Sequence, residues 1–95
     1  IKLLNAAQNT VDKFVDYFDK VFESNSIKEI SDITKKMVFD EEIYTILKDY
    51  CIEKYDNPDV VIAIADSAYK SKFIADRDLV FLSCIFTVKD IIKNN

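Results

Sequence analysis

A chain of 95 residues with no glycine and no histidine cannot build a glycine-rich phosphate loop, a dinucleotide-binding turn or a glycine hairpin, and it lacks the commonest general base and metal ligand. Seventeen acidic against 13 basic side chains give a net charge of −4, which opposes binding to nucleic-acid phosphates. An apolar share of 49% is that of a folded domain, and the length suffices for one domain, 1–95, around one modest core.

The first predicted helix covers 2–23. Leu4, Ala7, Val11, Phe14, Phe18 and Val21 recur at spacings of three and four, with Leu3, Val15 and Phe22 widening the stripe. Asn5, Asn9, Asp12, Lys13, Asp16, Lys20 and Glu23 occupy the other side, the pattern of a helix laid on a core. Mixed charges opposite the stripe argue against a membrane-surface helix, which is usually basic. Ser24-Asn25-Ser26 interrupts the pattern. Asn25 suits the left-handed conformation that glycine would otherwise supply. Ser26 and Glu29 have capping-box spacing for a second helix, 27–38, with Ile27, Ile30, Ile33 or Thr34, and Met37 facing inward.

Asp40 is the expected N-cap of a third helix, 41–55, with Glu41 and Glu42 favourable in its first turn. Ile43, Ile46, Leu47, Tyr50 and Cys51 form its expected inner face. Asp56-Asn57-Pro58-Asp59 is the clearest punctuation in the chain: Asn57 caps, and Pro58 opens a fourth helix, 58–70, where its missing N–H costs nothing. Val61, Ile64, Ala65 and Ala68 are its expected contact residues. After a linker or bend at 70–75 comes the most apolar stretch, Leu79-Val-Phe-Leu-Ser-Cys-Ile-Phe-Thr-Val88. Asp76 and Asp78 precede it and Lys93 follows, as the helix dipole prefers. The fifth helix, 76–93, is therefore predicted to be the buried C-terminal helix of an all-α bundle of about five antiparallel helices, with Phe81, Leu82, Ile85 and Phe86 its most buried residues.

The ten uncharged residues 79–88 are about half of the ~20 that a membrane span requires. Charges break up the N-terminal apolar residues, unlike a secretory signal. Cys51 and Cys84 form no CxxC pair and sit among apolar neighbours. Reduced, buried thiols and a cytoplasmic setting are expected. No cofactor, no metal site and no catalytic residue is expected, because neither cysteine has a histidine to activate it and the carboxylates fit solvation and helix capping.

Charge is unevenly spread. Residues 1–39 balance six lysines with six acids, 40–66 hold eight acids against Lys48 and Lys54, and 67–95 hold five cations against three acids. The acidic third, with tyrosines beside it, suits a protein interface with a basic partner. The expected partner-binding residues are Glu41, Glu42, Tyr44, Glu53, Asp56 and Asp59. A non-catalytic adaptor, inhibitor or immunity-type module acting by protein–protein binding is the function this composition favours. A homodimer through the first helix, with Phe14, Phe18 and Phe22 at the contact, is a further expectation. The alternative is a nucleic-acid-associated regulator: Ser26-Ile-Lys-Glu-Ile30 resembles the first helix of a helix-turn-helix, with Lys28, Lys35 and Lys36 for phosphates. Against it, the would-be recognition helix opens with Asp40-Glu41-Glu42, which repels DNA, and no turn glycine is present.

Overall fold

The computed structural model describes the backbone of residues 2–94 and the side chains of residues 11–94. It contains five helices and, among the described residues, no strand: α1 (Lys2–Glu23), α2 (Ile27–Thr34), α3 (Ile43–Tyr55), α4 (Pro58–Lys70) and α5 (Arg77–Lys93). The expected α1 residues Leu3, Leu4, Ala7, Asn5 and Asn9 fall outside the described side chains. From Val11 onward the α1 stripe faces inward as its spacing requires, with Phe14, Phe18 and Val21 buried. Asp12, Lys13, Asp16, Lys20 and Glu23 lie in water.

Polar side chains start four of the helices or the turns before them. Ser26 Oγ accepts the Glu29 N–H at 3.2 Å, Asn57 Oδ1 the Asp59 N–H at 2.9 Å, and Asp76 Oδ1 the Leu79 N–H at 3.0 Å, each satisfying a donor that the first turn leaves unpaired. Asp40 behaves differently from its expected role. Its carboxylate accepts the Glu42 N–H at 2.8 Å in a local turn, and α3 begins two residues late, with Glu42 at the N-cap position making no side-chain cap.

Helix ends show the absence of glycine most clearly. Asp56 (φ 45°) is the non-glycine residue with positive φ among those described, and it ends α3. Asn25 does not adopt the left-handed conformation expected of it. The carbonyls at the end of α1 are met instead by the Lys89 ammonium from α5, which donates to Val21 O at 3.0 Å, Phe22 O at 3.2 Å and Ser24 O at 2.9 Å. α2 stops at Thr34, whose hydroxyl bonds back to Ser31 O at 3.0 Å. The chain then tightens into turns through 39 rather than continuing as helix to 38.

The core is shared by all five helices and the α2–α3 turn. Phe18, Val21, Ile30, Met37, Leu47, Val60, Phe81, Ile85 and Val88 are almost wholly enclosed. All five residues of the expected inner face of α3 are buried. Ile27 is not inside; it lies on the surface. In α4 the inward residues are Val60 and Ile64, while Ala65 is exposed and Val61 and Ala68 are half-buried. α5 packs most extensively on α4 and also on α2, and α1 packs on α2 and α3. As α1 advances from Phe18 to Phe22, its ring partners on α3 advance from Tyr50 to Tyr55. The two helices therefore run in the same general direction, as alternate members of an up-and-down series do.

Cys51 and Cys84 are free and buried, and burial pushes their thiols up to about 12 and about 11. No helix among the described residues is long and apolar enough to cross a membrane. One oxygen of Asp78 is enclosed without a hydrogen-bond partner; the first turn of α5 is where the helix dipole favours such a charge.

α5 is less surrounded than its composition suggests. Val80, Phe81, Cys84, Ile85 and Val88 are buried at helical spacing, but Leu82 and Phe86 are only partly covered and Leu79 is open. Two substitutions separate the faces. Phe81→Ala should cost about 3–5 kcal/mol, a large share of the ~5–15 available to a domain. Phe86→Ala should cost less than about 2. Urea unfolding measures both, and equal losses would contradict the assigned faces.

Candidate functional site

Where α1 and α3 run side by side they leave an open groove of about 610 Å³. α1 supplies Val11, Val15 and Asp19, four residues apart and so on one stripe. α3 supplies Ile46, Asp49, Tyr50 and Glu53, again one stripe, with Ile52 and Lys54 at its edges. The floor is apolar at the Val11–Val15–Ile46 end. The rim carries three carboxylates and one lysine.

Asp19 organises the polar end. The Tyr50 hydroxyl donates to its Oδ1 at 2.6 Å, and the Lys54 ammonium donates to the same oxygen at 3.1 Å. Lys54 also lies 5.5 Å from the centre of the Tyr50 ring, within reach of a cation–π attraction. Phe22 stacks on that ring at 5.7 Å with planes 10° apart, and Phe18 tilts against it at 5.3 Å. A phenol held by aromatic neighbours thus fixes a carboxylate across two helices.

The protonation states follow. The Tyr50 hydrogen bond holds the Asp19 carboxyl below the usual carboxylate range, with Lys54 adding to the effect and partial burial opposing it. Burial, then the bond to Asp19, pushes the Tyr50 phenol above its ordinary value. The bond to Asp19 also raises Lys54. Each group is held more firmly in its neutral-pH state, the reverse of what proton transfer near neutrality asks of an acid or base. The cluster is a clamp between helices. No group of three or more Cys, Asp or Glu among the described residues could hold a metal ion.

The six partner-binding residues expected from the sequence gather at the two ends of α3, about 18 Å apart for twelve residues of helix. Exposed Glu41 and Glu42 and half-buried Tyr44 lie at its start. There Tyr44 packs edge-on against Phe81 at 5.6 Å, and burial pushes its phenol up to about 12. Glu41 and Tyr44 share a small cavity of about 250 Å³ with Asp40, Ser71, Lys72 and Arg77. Glu53, Asp56 and Asp59 are exposed near the other end of α3, and of the six only Glu53 lines the groove. Tyr55 is half-buried and Tyr69 exposed.

Sequence reasoning missed Asp19, which looked like one of many solvated acids, and Val11, Val15 and Ile46 as a shared floor. No local signal joins residues 31 positions apart. Lys28, Lys35 and Lys36 are exposed. The eight residues 35–42 between α2 and α3 exceed the three or four of a helix-turn-helix turn.

The sign of the pH dependence is set by Asp19. Its carboxylate is favoured by folding, so its contribution is fully present above the unfolded-state pKa of about 3.9 and is lost as pH falls through the lower folded value. Tyr50→Phe removes the leading cause. The Asp19 midpoint should then rise toward its ordinary value, and stability at neutral pH should fall by about 1 kcal/mol, exposure limiting the effect. Carboxyl NMR titration and urea unfolding read both, and an unmoved midpoint would show that Tyr50 does not hold the carboxylate. Comparison of the chain with family models, with curated proteins and with solved structures gave no match.

Proposed function

We propose that this chain is a non-catalytic protein-binding module of the adaptor, inhibitor or immunity kind, acting in a reducing compartment such as the cytoplasm, and that its α1–α3 groove receives a basic segment of the partner. The observation that carries the reading is the pairing of an apolar floor, Val11, Val15 and Ile46, with a carboxylate rim in one groove. An amphipathic segment matches such a surface by laying apolar side chains on the floor. Lysines or arginines beside them meet Asp49 and Glu53. Glu53 makes no ion pair among the described residues, and Asp49 is bridged only by its exposed neighbour Lys48 at 3.2 Å, a contact worth little in water. The rim is therefore open to a cation from outside. Lys54, the one cation among the described groove residues, is already engaged by Asp19.

The test begins with a partner isolated by affinity capture from the native cell lysate and then purified. Asp49→Lys with Glu53→Lys should slow its association roughly tenfold or more, and added salt should slow the wild-type reaction, because exposed charges steer encounter and are screened over ~8–10 Å. Glu41→Lys with Glu42→Lys lies about 10–18 Å away, just before the start of α3, and should have the smaller effect. Lys35→Glu with Lys36→Glu is the control outside the acidic third. Equal effects from all three pairs, or association indifferent to salt, would remove the groove from the mechanism.

A further inference from the structure

A second surface has the opposite character. Of eight large apolar side chains exposed among the described residues, five lie on α4, on α5 or in the turn between them: Ile62, Tyr69, Phe73, Ile74 and Leu79. Tyr69 and Phe73 are paired edge-on at 5.0 Å while 63% and 71% exposed. Ile74 and Leu79 line a crevice of about 410 Å³ between α4 and α5, floored by the small residues Ala63, Ser67, Ser83 and Thr87. The same Leu79, Ser83 and Thr87 continue round α5 into an outer face with Leu82 and Phe86. Leu79, Leu82 and Phe86 stand three and four residues apart, the stripe by which a helix packs on another. The α1 phenylalanines expected at a dimer contact are not available for this purpose: Phe14 and Phe18 lie in the chain's own core, and Phe22 stacks on Tyr50.

We infer that the α4–α5 face is the seat of a symmetric homodimer, covered by the same face of a second copy. Two observations select that occupant. The first is area. The five most open side chains leave on the order of 500 Å² of apolar surface uncovered, and Leu82, Phe86 and the small residues between them extend it toward the ~800 Å² per partner of a stable interface. The second is charge. Each copy carries −4 in all, so two copies repel wherever their acids face each other. On this side the charged side chains that line the crevice and the outer face are Asp66, matched by Lys70 at 2.9 Å, and Asp90. α3, with the acidic excess, lies on the other flank of α4, where Tyr44, Thr45 and Lys48 meet Val61, Ala65 and Ala68. The α4–α5 face thus brings fewer unmatched acids of two copies together than the α3 flank would. Antiparallel pairing of α5 about the Leu82–Ser83 step sets Leu79 of one copy on Phe86 of the other, each contact occurring twice as an isologous interface requires.

Sedimentation across the micromolar range should show a concentration-dependent dimer, and Leu79→Glu should raise its dissociation constant about tenfold or more with helicity unchanged. Leu79 is 60% exposed, so this change leaves the core intact. Ser83→Cys adds an exposed thiol to a chain whose own two are buried. It should form disulfide-linked dimers under mild oxidation much faster than Asn25→Cys, which lies on the α1–α2 turn. A strictly monomeric wild type, a dimer unaffected by Leu79→Glu, or equal cross-linking of the two cysteine variants would each overturn the assignment.

Discussion

Lys89 joins the last helix of this chain to the C-terminal end of the first. Its ammonium has three protons and three carbonyl partners, at Val21, Phe22 and Ser24, some 65 to 68 residues away. These carbonyls belong to the last turn of α1 and the residue after it, where a helix leaves acceptors unpaired and where its dipole favours a cation. Burial among neutral groups lowers the Lys89 pKa, while the three hydrogen bonds replace those that water would have made. Most helices could end on a glycine, but this chain has none. A lysine borrowed from α5 does that work for α1. The ring of Phe22, 6.0 Å beneath the ammonium, adds a weaker attraction from the same residue that stacks on Tyr50.

The consequences run outward from that cap. With α1 ended at Glu23, the chain passes through three short polar residues and Ser26 starts α2, which sends Ile30, Ile33 and Thr34 into the core. α2 packs against both α1 and α5, so those two helices are joined through a shared neighbour as well as through the lysine. α1 is thereby held where Phe18, Asp19 and Phe22 meet Tyr50. The groove is a by-product of this arrangement: α1 and α3 touch at their aromatic and ionic contacts and leave Val11 and Val15 partly open beside the buried Ile46.

Much of the fold was legible because its signals are local. Helix starts were readable from Ser26, Asn57 and Asp76, and the inner face of α3 from Ile43, Ile46, Leu47, Tyr50 and Cys51. Readability failed where a helix is apolar on two sides. In α5, periodicity could not say whether Leu82 and Phe86 or Val80, Cys84 and Val88 face inward, because every choice is apolar; only packing against α4 and α2 decides. Ile27 was misplaced for a related reason, since a first-turn residue at helical spacing need not reach the core. Of the groove, Glu53 was anticipated and Asp19 was not. The acidic third is real as a charge count, but α3 carries its members to opposite ends. A linear excess of charge says nothing about which acids share a surface.

The groove and the α4–α5 face therefore offer different chemistries on different helices: charge beside an apolar floor on one, nearly neutral apolar area on the other. Occupation of either leaves the other open. Both depend on the register of the bundle, and that register rests on the lysine cap. Lys89→Met, which keeps the stem and removes the three donors, tests it most directly. Hydrogen exchange combined with urea unfolding should show a loss of about 2 kcal/mol and faster exchange of the amides in the last turn of α1. Unchanged stability with full protection there would contradict the role given to Lys89.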